Sequence, residues 1–356
     1  MELSRHEKPC DFITVVIPTF NSEKSLPYVL DALTRIDYDK KKIKIVIVDD
    51  NSTDNTYGIA LEFKQRYDDL FYQVEVIRLD ERVTTSKARN EGIKRAVPSS
   101  CIFLLDSDVV PNTSTLKELI ELFRDPRVGA VGKLCLTDKP SLFEKMMWFR
   151  YLGQIKEGPA GTGALLLKPE VIRKVGLLNE KLGYPKTIYE DLEYVMRIRR
   201  AGYKVLIDGR NPLLHYKPLQ TLTFSSKSNI LTSLKQTIKH FSTYLTFSRA
   251  YALYEVLKAA PLRYRLEYVT YAFMMLAMIL TLFTNTAMTV LLVSTTITIS
   301  ILYAIFEYRN LDIKTRILAG IAVLISRLLR ALALLVHLPV LMIKNIKINK
   351  NNTKKQ

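Results

Sequence analysis

The chain has 356 residues, of which 48% are apolar and 24% are charged. This length exceeds one typical small domain, and this composition excludes an intrinsically disordered protein. The formal net charge of +17 is uneven, because residues 261–356 carry 12 basic and only 3 acidic side chains. These charges flank long apolar runs, so they favour anionic lipid headgroups over nucleic acid as the partner.

Cysteine content and the first residues bear on the compartment. Cys10, Cys101 and Cys135 form no CxxC pair and leave one cysteine over in any disulfide scheme. That count argues against a disulfide framework or a zinc site, and it suits a reducing compartment. Residues 1–11, a predicted N-terminal tail, contain no apolar stretch typical of a secretory signal. We therefore expect the next domain to face the cytosol.

Residues 12–220 alternate two kinds of segment. Apolar runs typical of strands occur at 13–18, 43–48, 74–79, 101–105 and 164–168. Amphipathic stretches typical of helices occur around 24–35, 54–66, 85–96 and 114–123. This alternation predicts an α/β domain with a Rossmann-like, largely parallel sheet that helices cover on both faces. Ligands of such sheets bind beyond the carboxyl ends of the strands.

An all-α region is predicted after this domain. Residues 221–265 combine apolar residues at helical spacing with lysines, which is typical of a helix packed on its own domain or lying in the membrane plane. Residues 268–306 carry no charged side chain. They are long enough to cross a hydrocarbon layer of roughly 30 Å twice, at 268–284 and 286–306. Basic residues on both sides predict that both ends face the cytosol.

A third apolar segment, residues 317–343, is interrupted by Arg327 and Arg330. The insertion cost of two arginines is about equal to the gain from the surrounding aliphatic residues. Both a third span and a re-entrant or interfacial arrangement fit this pattern. The membrane-associated region is predicted over 266–344, and a basic tail is predicted at 345–356.

Asp106 and Asp108 directly follow the apolar run CIFLL. Because residues i and i+2 of an extended chain point the same way, we expect the two carboxylates to lie together. Two adjacent carboxylates need a cation or a shared proton, and oxygen ligands favour Mg²⁺ or Mn²⁺. Helix capping does not explain the pair, since Thr113 or Ser114 is the natural cap of the next helix.

A second acidic cluster ends another predicted strand, in IVIVDDNSTDNT at 45–56. An EF-hand is excluded because Asn55 and Leu61 stand where its loop requires glycine and glutamate. Most of the cluster fits a turn that caps the following helix. That interpretation leaves Asp50, at the end of the strand, to contact a ligand hydroxyl or base.

Five segments of the domain form an ordered set. They are VVIPTFNSE (15–23), IVIVDDNSTD (45–54), SKARNEG (86–92), LLDSDV (104–109) and YEDLEYVMRIRRAGYKV (189–205). In order and spacing they resemble the motifs of family 2 glycosyltransferases, which have the GT-A fold. The resemblance covers about residues 13–217, and five ordered motifs are far more specific than any one alone.

The resemblance implies roles for individual residues. The nucleotide pocket would be formed by Pro18, Phe20, Glu23 and Asp50, with Arg89 and Asn90 near its rim. Asp106 and Asp108 would be the DxD pair, and Asp108 would bind the metal that bridges the donor diphosphate. Glu190 and Asp191 would be the ED motif, with Asp191 as the candidate base.

Elementary chemistry agrees with these implied roles. A nucleoside diphosphate is already a good leaving group, so a metal that neutralises its growing charge suffices and no general acid is needed. A hydroxyl acceptor requires a carboxylate that takes its proton as it attacks, and such direct displacement inverts the anomeric centre.

Two differences from other members of the family bear on the chemical class of the acceptor. The QxxRW motif of processive polysaccharide synthases is missing, so we do not expect a long polymer. Dolichyl-phosphate sugar synthases generally lack the ED base, so its presence favours a hydroxyl acceptor. Acceptor contacts are assigned to Gly161 and His215, and to Arg327 and Arg330, which would bind phosphates. Gly161 would allow close backbone approach, and its alternative is a plain turn; His215 alternatively is a structural histidine.

The function predicted from the sequence is that of a membrane-anchored, multi-pass, inverting hexosyltransferase with its catalytic domain on the cytosolic face. It would transfer a sugar from a UDP- or GDP-sugar to a hydroxyl of a lipid-linked glycan, with Mg²⁺ or Mn²⁺ as cofactor. The alternatives are a polyprenyl-phosphate sugar synthase, whose acceptor is a lipid phosphate, and a non-catalytic membrane scaffold that binds nucleotide.

Overall fold

The computed structural model describes residues 10–138, 140, 148–185, 189–216 and 247–262, and scattered helical positions between 266 and 337. The chain divides into two compact units. The first comprises Met1–Pro140 with Tyr151–Ser225, and the second comprises Ser141–Arg150 with Ser226–Gln356.

The first unit contains the strands of one sheet. They are β1 (Ile13–Thr19), β2 (Ile43–Asp49), β3 (Gln73–Arg78), β4 (Cys101–Leu105), β5 (Val109–Val110), β6 (Val128–Leu136), β7 (Ile155–Glu157), β8 (Ala164–Leu167) and β9 (Lys204–His215). Its α-helices are α1 (Leu26–Thr34), α2 (Thr56–Tyr67), α3 (Thr85–Ile93), α4 (Thr115–Glu121), α5 (Pro169–Val175) and α6 (Glu190–Arg200). Short 3₁₀ helices span Lys40–Lys42, Leu122–Arg124 and Phe149–Tyr151.

The sheet is mixed rather than largely parallel, which corrects the prediction. Its strand order is β3-β2-β1-β4-β8-β6-β9-β5, and β7 also pairs with β9. The first four strands in that order are parallel to one another. Strand β8 then lies antiparallel to both β4 and β6. The parallel half nevertheless brings the carboxyl ends of β1, β2 and β4 to one edge, as predicted.

Strand β6, VGAVGKLCL, was not predicted, because two glycines and a lysine interrupt its apolar run. Its surroundings between β8 and β9 explain Gly132 and Lys133. A Cβ atom on Gly132 would lie 2.7 Å from the Cβ atom of Ala160, so the neighbouring segment excludes a side chain there. Lys133 is buried and pairs with Asp208 at 3.0 Å and with Glu118. These ion pairs connect β6 to β9 and α4.

Cys10 and Cys101 form a disulfide with their Cα atoms 5.5 Å apart, so the expectation of no disulfide is wrong. The reason is the register of two parallel neighbours. Ile13 of β1 pairs with Cys101 of β4, and the Cys101 amide donates to the carbonyl of Phe12. Sequence spacing does not reveal this proximity, because the two cysteines are 91 residues apart. Cys135 is a free cysteine.

In the second unit, helix α7 spans Phe247–Ala259. Within the part of this unit that the structure describes, no helix is long and apolar enough to cross a membrane. The predicted amphipathic helix at 221–265 and the predicted spans at 268–284, 286–306 and 317–343 lie largely outside the described residues. Arg327, Arg330 and the basic tail lie wholly outside them.

Candidate active site

A cleft of about 550 Å³ lies at the sheet edge where β1, β2 and β4 end. Its walls come from the turn after β1, the residue after β2, the start of α3 and the turn after β4. Predicted residues that line it are Pro18, Phe20, Glu23, Asp50, Arg89, Asp106 and Asp108. The carboxyl ends of the parallel strands therefore bring the predicted donor-site residues together, with the exception of Asn90.

Asp50 lies directly after β2 and is 5% exposed. One carboxylate oxygen, Oδ1, accepts a hydrogen bond from the Val83 amide at 2.7 Å. Burial raises the pKa of Asp50, although that hydrogen bond and the nearby Arg82 act in the opposite direction. The residue after it, Asn51, has φ of 57°, so the chain turns sharply and leaves Asp50 at the cleft wall.

Asp106 and Asp108 lie on a turn between β4 and β5, in which the Val109 amide donates to the Asp106 carbonyl at 3.1 Å. The premise of an extended chain at these residues is therefore wrong. Asp106 Oδ1 accepts from Arg89 at 2.7 Å, and Asp108 Oδ2 lies 3.1 Å from His215 Nε2. Each carboxylate thus has its own partner within the protein, and both still line the cleft.

Two partly exposed carboxylates on one turn fit a Mg²⁺ or Mn²⁺ ion. Asp106 Oδ2 and Asp108 Oδ1 accept no hydrogen bond from the residues that the structure describes. Among those residues, no group of three or more carboxylate, imidazole or thiol side chains converges as a metal site. Mg²⁺ commonly uses one or two protein carboxylates and takes its remaining ligands from water and phosphate. The donor set suits a metal held jointly with a diphosphate.

Arg89, on α3, is 4% exposed and joins two acidic groups. Its guanidinium lies 2.7 Å from Asp106 Oδ1 and 3.4 Å from Glu190 Oε1. Burial alone would lower the pKa of Arg89, but the charges of Asp106 and Glu190 outweigh it and raise that pKa. Sequence reasoning placed Arg89 at the rim and did not predict this bridge between the β4 turn and α6.

Asp191 lies in the first turn of α6, where the helix dipole favours an acidic group. Its Oδ1 accepts from the Leu192 amide at 2.7 Å. Burial and the charge of neighbouring Glu190 raise the pKa of Asp191 to about 6. A pKa near neutrality suits a residue that accepts and releases a proton during catalysis.

Glu190 and Asp191 adjoin the cleft without lining it. A Cβ on Gly161 would lie 3.6 Å from Asp191 Oδ2, and one on Gly163 would lie 3.1 Å from Asp106 Oδ2. Residues 161–163 therefore run between the two carboxylates. Close backbone approach of Gly161 to an acceptor stays a prediction. Glu190 reaches the cleft wall through Arg89.

Asn90 is not at the rim, which corrects the prediction. It is 1% exposed, and its side-chain amide bonds to Leu178 and Glu180. Arg89 and Asn90 are successive residues of a helix, so their side chains point about 100° apart. Only Arg89 therefore reaches the cleft.

Three residues that the sequence reasoning missed also line the cleft: Arg82, Tyr184 and Tyr216. The guanidinium carbon of Arg82 lies 3.6 Å from the Phe20 ring centroid and 5.0 Å from that of Tyr184. Tyr216 stacks on Tyr28 with centroids 5.1 Å apart. These residues lie in loops or at element ends, where single-sequence patterns carry little signal.

The first unit is similar in sequence to known proteins. The sequence model of the family described as Glycosyl transferase family 2 matches residues 14–162. Among curated relatives, Poly-beta-1,6-N-acetyl-D-glucosamine synthase of Staphylococcus epidermidis is 27% identical over 220 residues, which are 58% of this chain and 50% of the relative. Glycosyltransferase AglE of Haloferax volcanii is 32% identical over 204 residues, or 54% of this chain and 63% of the relative.

The matched regions thus span only about half to three fifths of these relatives. Among solved structures, the mannosyltransferase PcManGT from Pyrobaculum calidifontis, in complex with GDP-Man and Mn²⁺, gives a TM-score of 0.49 at 18% identity. That similarity covers 88% of this chain and 87% of that one. The family match and the ordered motifs agree: residues 14–162 are similar to the sequence model of Glycosyl transferase family 2.

Proposed function

We propose that the protein is an inverting glycosyltransferase that moves one sugar from a nucleoside diphosphate sugar to a hydroxyl group of a lipid-linked glycan. The observation that carries this proposal is the arrangement at the cleft. Asp106 and Asp108 line it, and Asp191, with its pKa near 6, adjoins it across residues 161–163. A carboxylate pair for a diphosphate-bound metal and a separate base are what this reaction needs.

Asp106 and Asp108 would hold Mg²⁺ or Mn²⁺, which supplies positive charge that stabilises the departing nucleoside diphosphate. Arg89 holds the carboxylate of Asp106 through Oδ1, so Oδ2 is not used by this ion pair. Pro18, Phe20 and Asp50 form the wall that receives the nucleotide, and Glu23 lies beside them. The nucleotide is proposed to be UDP or GDP.

Asp191 would accept the proton of the attacking hydroxyl. Its carboxylate is partly deprotonated near pH 6 and largely deprotonated at pH 7, so it can act as the base at neutral pH. Glu190 keeps Asp191 basic by its charge and is itself held by Arg89. Attack from the acceptor side with departure of the diphosphate on the other side inverts the anomeric centre.

A membrane location is part of the proposal and is supported by sequence alone. Residues 268–306 have no charged side chain, and basic residues flank them. An anchor of this kind would confine the catalytic domain to the surface where a lipid-linked acceptor lies. We propose that the catalytic domain faces the cytosol and that Arg327 and Arg330 bind acceptor phosphates.

Product formation tests the proposal directly. The full chain, purified in lipid nanodiscs, would be incubated with UDP- and GDP-sugars, Mn²⁺ and a polar lipid extract, and the lipids analysed by mass spectrometry. We expect one lipid product heavier by a single sugar, and none with Asp108→Asn. A folded protein that yields no product with any donor would contradict the proposal. A lipid phosphate as the acceptor would contradict its acceptor part.

A further inference from the structure

The segment Leu178–Tyr184 is bonded along its length to helix α3. The Thr84 hydroxyl donates to the Glu180 carbonyl at 3.1 Å, and the Thr85 amide donates to the Tyr184 carbonyl at 2.9 Å. Gly183 lies close against the helix start, because a Cβ there would be 2.5 Å from Thr85 Oγ1. Its φ of 103° also favours glycine. The segment is therefore docked on α3 rather than extended into solvent.

Asn90 forms the innermost contact of this docking. Its Nδ2 donates to the Leu178 carbonyl at 2.9 Å and to Glu180 Oε1 at 3.0 Å. Its Oδ1 accepts from the Leu178 amide at 3.0 Å. The Asn90 side chain is thus paired with both backbone groups of Leu178, in the manner of one rung of a sheet. A buried amide whose donors and acceptor are all used specifies one position for its partner.

The segment leads directly into the candidate site. Tyr184, at its end, lines the cleft, and Glu190 and Asp191 begin α6 a few residues later. Arg89, the neighbour of Asn90 on α3, contacts Glu190 at 3.4 Å. The chain between 178 and 191 is therefore attached to α3 at both ends, by Asn90 before Tyr184 and by Arg89 after it.

We propose that Asn90 is a positioning residue for the sugar transfer, one that sets the acceptor side of the cleft through the segment Leu178–Tyr184. This inference rests on the proposed function, because it assigns Asn90 to the acceptor hydroxyl and its base rather than to the nucleotide. Asn90 contacts neither ligand. Its loss would shift Tyr184 and Asp191 relative to the donor, and a misplacement of about 1 Å can cost 100-fold in rate.

The first test is Asn90→Ala. We expect kcat for transfer to fall by about 10- to 100-fold, while the Kd of UDP and GDP with Mn²⁺, from isothermal titration calorimetry, changes less than about twofold. Amide hydrogen exchange at Leu178 should quicken by at least about tenfold, because its acceptor is gone. Equal losses of nucleotide binding and kcat would overturn the assignment to the acceptor side.

Two control variants separate positioning from general destabilisation. Glu91→Gln changes the next residue, whose carboxylate pairs with Lys94 and Arg95 instead of the segment. It should keep the kcat of the unmodified protein. Val171→Ala removes methyl groups from a fully buried site on α5. It should lower the melting temperature without quickening exchange at Leu178. If the two variants have equal melting temperatures and Val171→Ala lowers kcat as much as Asn90→Ala does, Asn90 has only a structural role and the proposal fails.

A compensating pair gives the sharpest test. Asn90→Asp keeps the acceptor for the Leu178 amide but places a carboxylate oxygen against both Glu180 and the Leu178 carbonyl, so kcat should fall. Adding Glu180→Gln restores a donor facing residue 90, so the double variant should recover at least about fivefold of the loss. No recovery would overturn the proposal.

The exchange readout also keeps this inference distinct from the proposed function. If the unmodified protein forms no product, the proposed function fails. Faster exchange at Leu178 in Asn90→Ala would then still establish the contact. If product forms and Asn90→Ala leaves both kcat and exchange unchanged, only the positioning role of Asn90 fails.

Discussion

At the residue scale, the acidic side chains of the candidate site differ in the charge of their neighbours. Asp106 is paired with Arg89, and Asp108 with His215. Asp191 is instead buried with a like charge, Glu190, beside it, and both effects raise its pKa to about 6. Asp191 is therefore suited to exchange a proton during the reaction.

Substitution of Asp191 tests its role as base. Asp191→Asn should lower kcat by about 10²- to 10⁴-fold for a hydroxyl acceptor, because the amide cannot take up the proton. Steady-state kinetics with the lipid product give the measurement. Glu170→Gln, at the first turn of α5, serves as a control and should leave kcat unchanged. Nearly intact turnover in Asp191→Asn would instead favour a phosphate acceptor, which is already ionised.

The pH dependence depends on the same pKa. The base must be deprotonated to act, and the Asp191 pKa of about 6 lies above that of an ordinary aspartate. We expect kcat to rise about tenfold for each pH unit below 6 and to level off above pH 7. A pH–rate profile from pH 4.5 to 8 provides the check. A profile that is flat between pH 5 and pH 7 would rule out Asp191 as the titrating base.

Arg89 should also contribute to the stability of the fold. Arg89→Met would leave Asp106 and Glu190 close together without their shared cation. Because the guanidinium is buried, we expect the free energy of unfolding to fall by about 3 kcal/mol. Urea unfolding followed by circular dichroism measures this change. Arg124→Met, which breaks an ion pair at an arginine that is 81% exposed, should change it by less than about 1 kcal/mol.

Sequence patterns predicted most of the cleft wall but not its internal contacts. Asp50 and Asp106 follow apolar strands, and that position predicts the sheet edge they share, whereas Phe20 was implied by the family resemblance. Asn90 was misplaced because a motif identifies a residue type without its side-chain direction. Arg82 and Tyr184 were missed because only tertiary packing brings Arg82 to the rings of Phe20 and Tyr184.

At the element scale, strands with continuous apolar runs were predicted to within one residue, as β1, β2 and β4 illustrate. Burial on both faces favours apolar residues at most positions of such strands, although Thr14 of β1 and Lys44 of β2 are buried polar exceptions. Strands β6 and β9 were not predicted. Gly132, Lys133 and Asp208 are determined by contacts with residues distant in sequence, so these strands lack a regular hydrophobic pattern. The reversal at β8 was missed for the same reason, since direction depends on pairing.

Gly132 tests the packing of β6. Gly132→Ala would place a methyl group 2.7 Å from the Ala160 Cβ, so one of the two segments must move. We expect the free energy of unfolding to fall by about 1 to 3 kcal/mol. Urea unfolding measures the loss. Ala160→Gly, added to Gly132→Ala, should restore part of it, and an unchanged midpoint in the single variant would contradict the packing.

At the scale of the whole molecule, the first unit contains every described residue of the candidate site, and the disulfide closes 91 residues of it. Thiol titration tests this covalent link. Denatured protein that has not been reduced should show one reactive thiol, Cys135, and reduced protein should show three. Three thiols without reductant would contradict the disulfide.

Removal of the link should also affect stability. A loop of this length gives a disulfide contribution of about 4.6 kcal/mol in the chain-entropy account, and typical contributions are about 2 to 4 kcal/mol. Cys10→Ser should therefore lower the free energy of unfolding by about 2 to 4 kcal/mol, as measured by urea unfolding without reductant. Cys135→Ser is the matched control, since its thiol is free.

The disulfide lies at the opposite end of β1 and β4 from the cleft. Cys10 precedes β1 and Cys101 begins β4, while Phe20 follows β1 and Asp106 follows β4. If β1 slid past β4 by two residues, every side chain would stay on the same face of the sheet. Phe20 would nevertheless be displaced by about 6.6 Å relative to Asp106 along the strand direction. Hydrogen bonding alone does not forbid that slip. The Cys10–Cys101 disulfide does forbid this slip. A covalent bond at one end of β1 and β4 therefore sets the distance between the nucleotide wall and the metal-site turn at the other end.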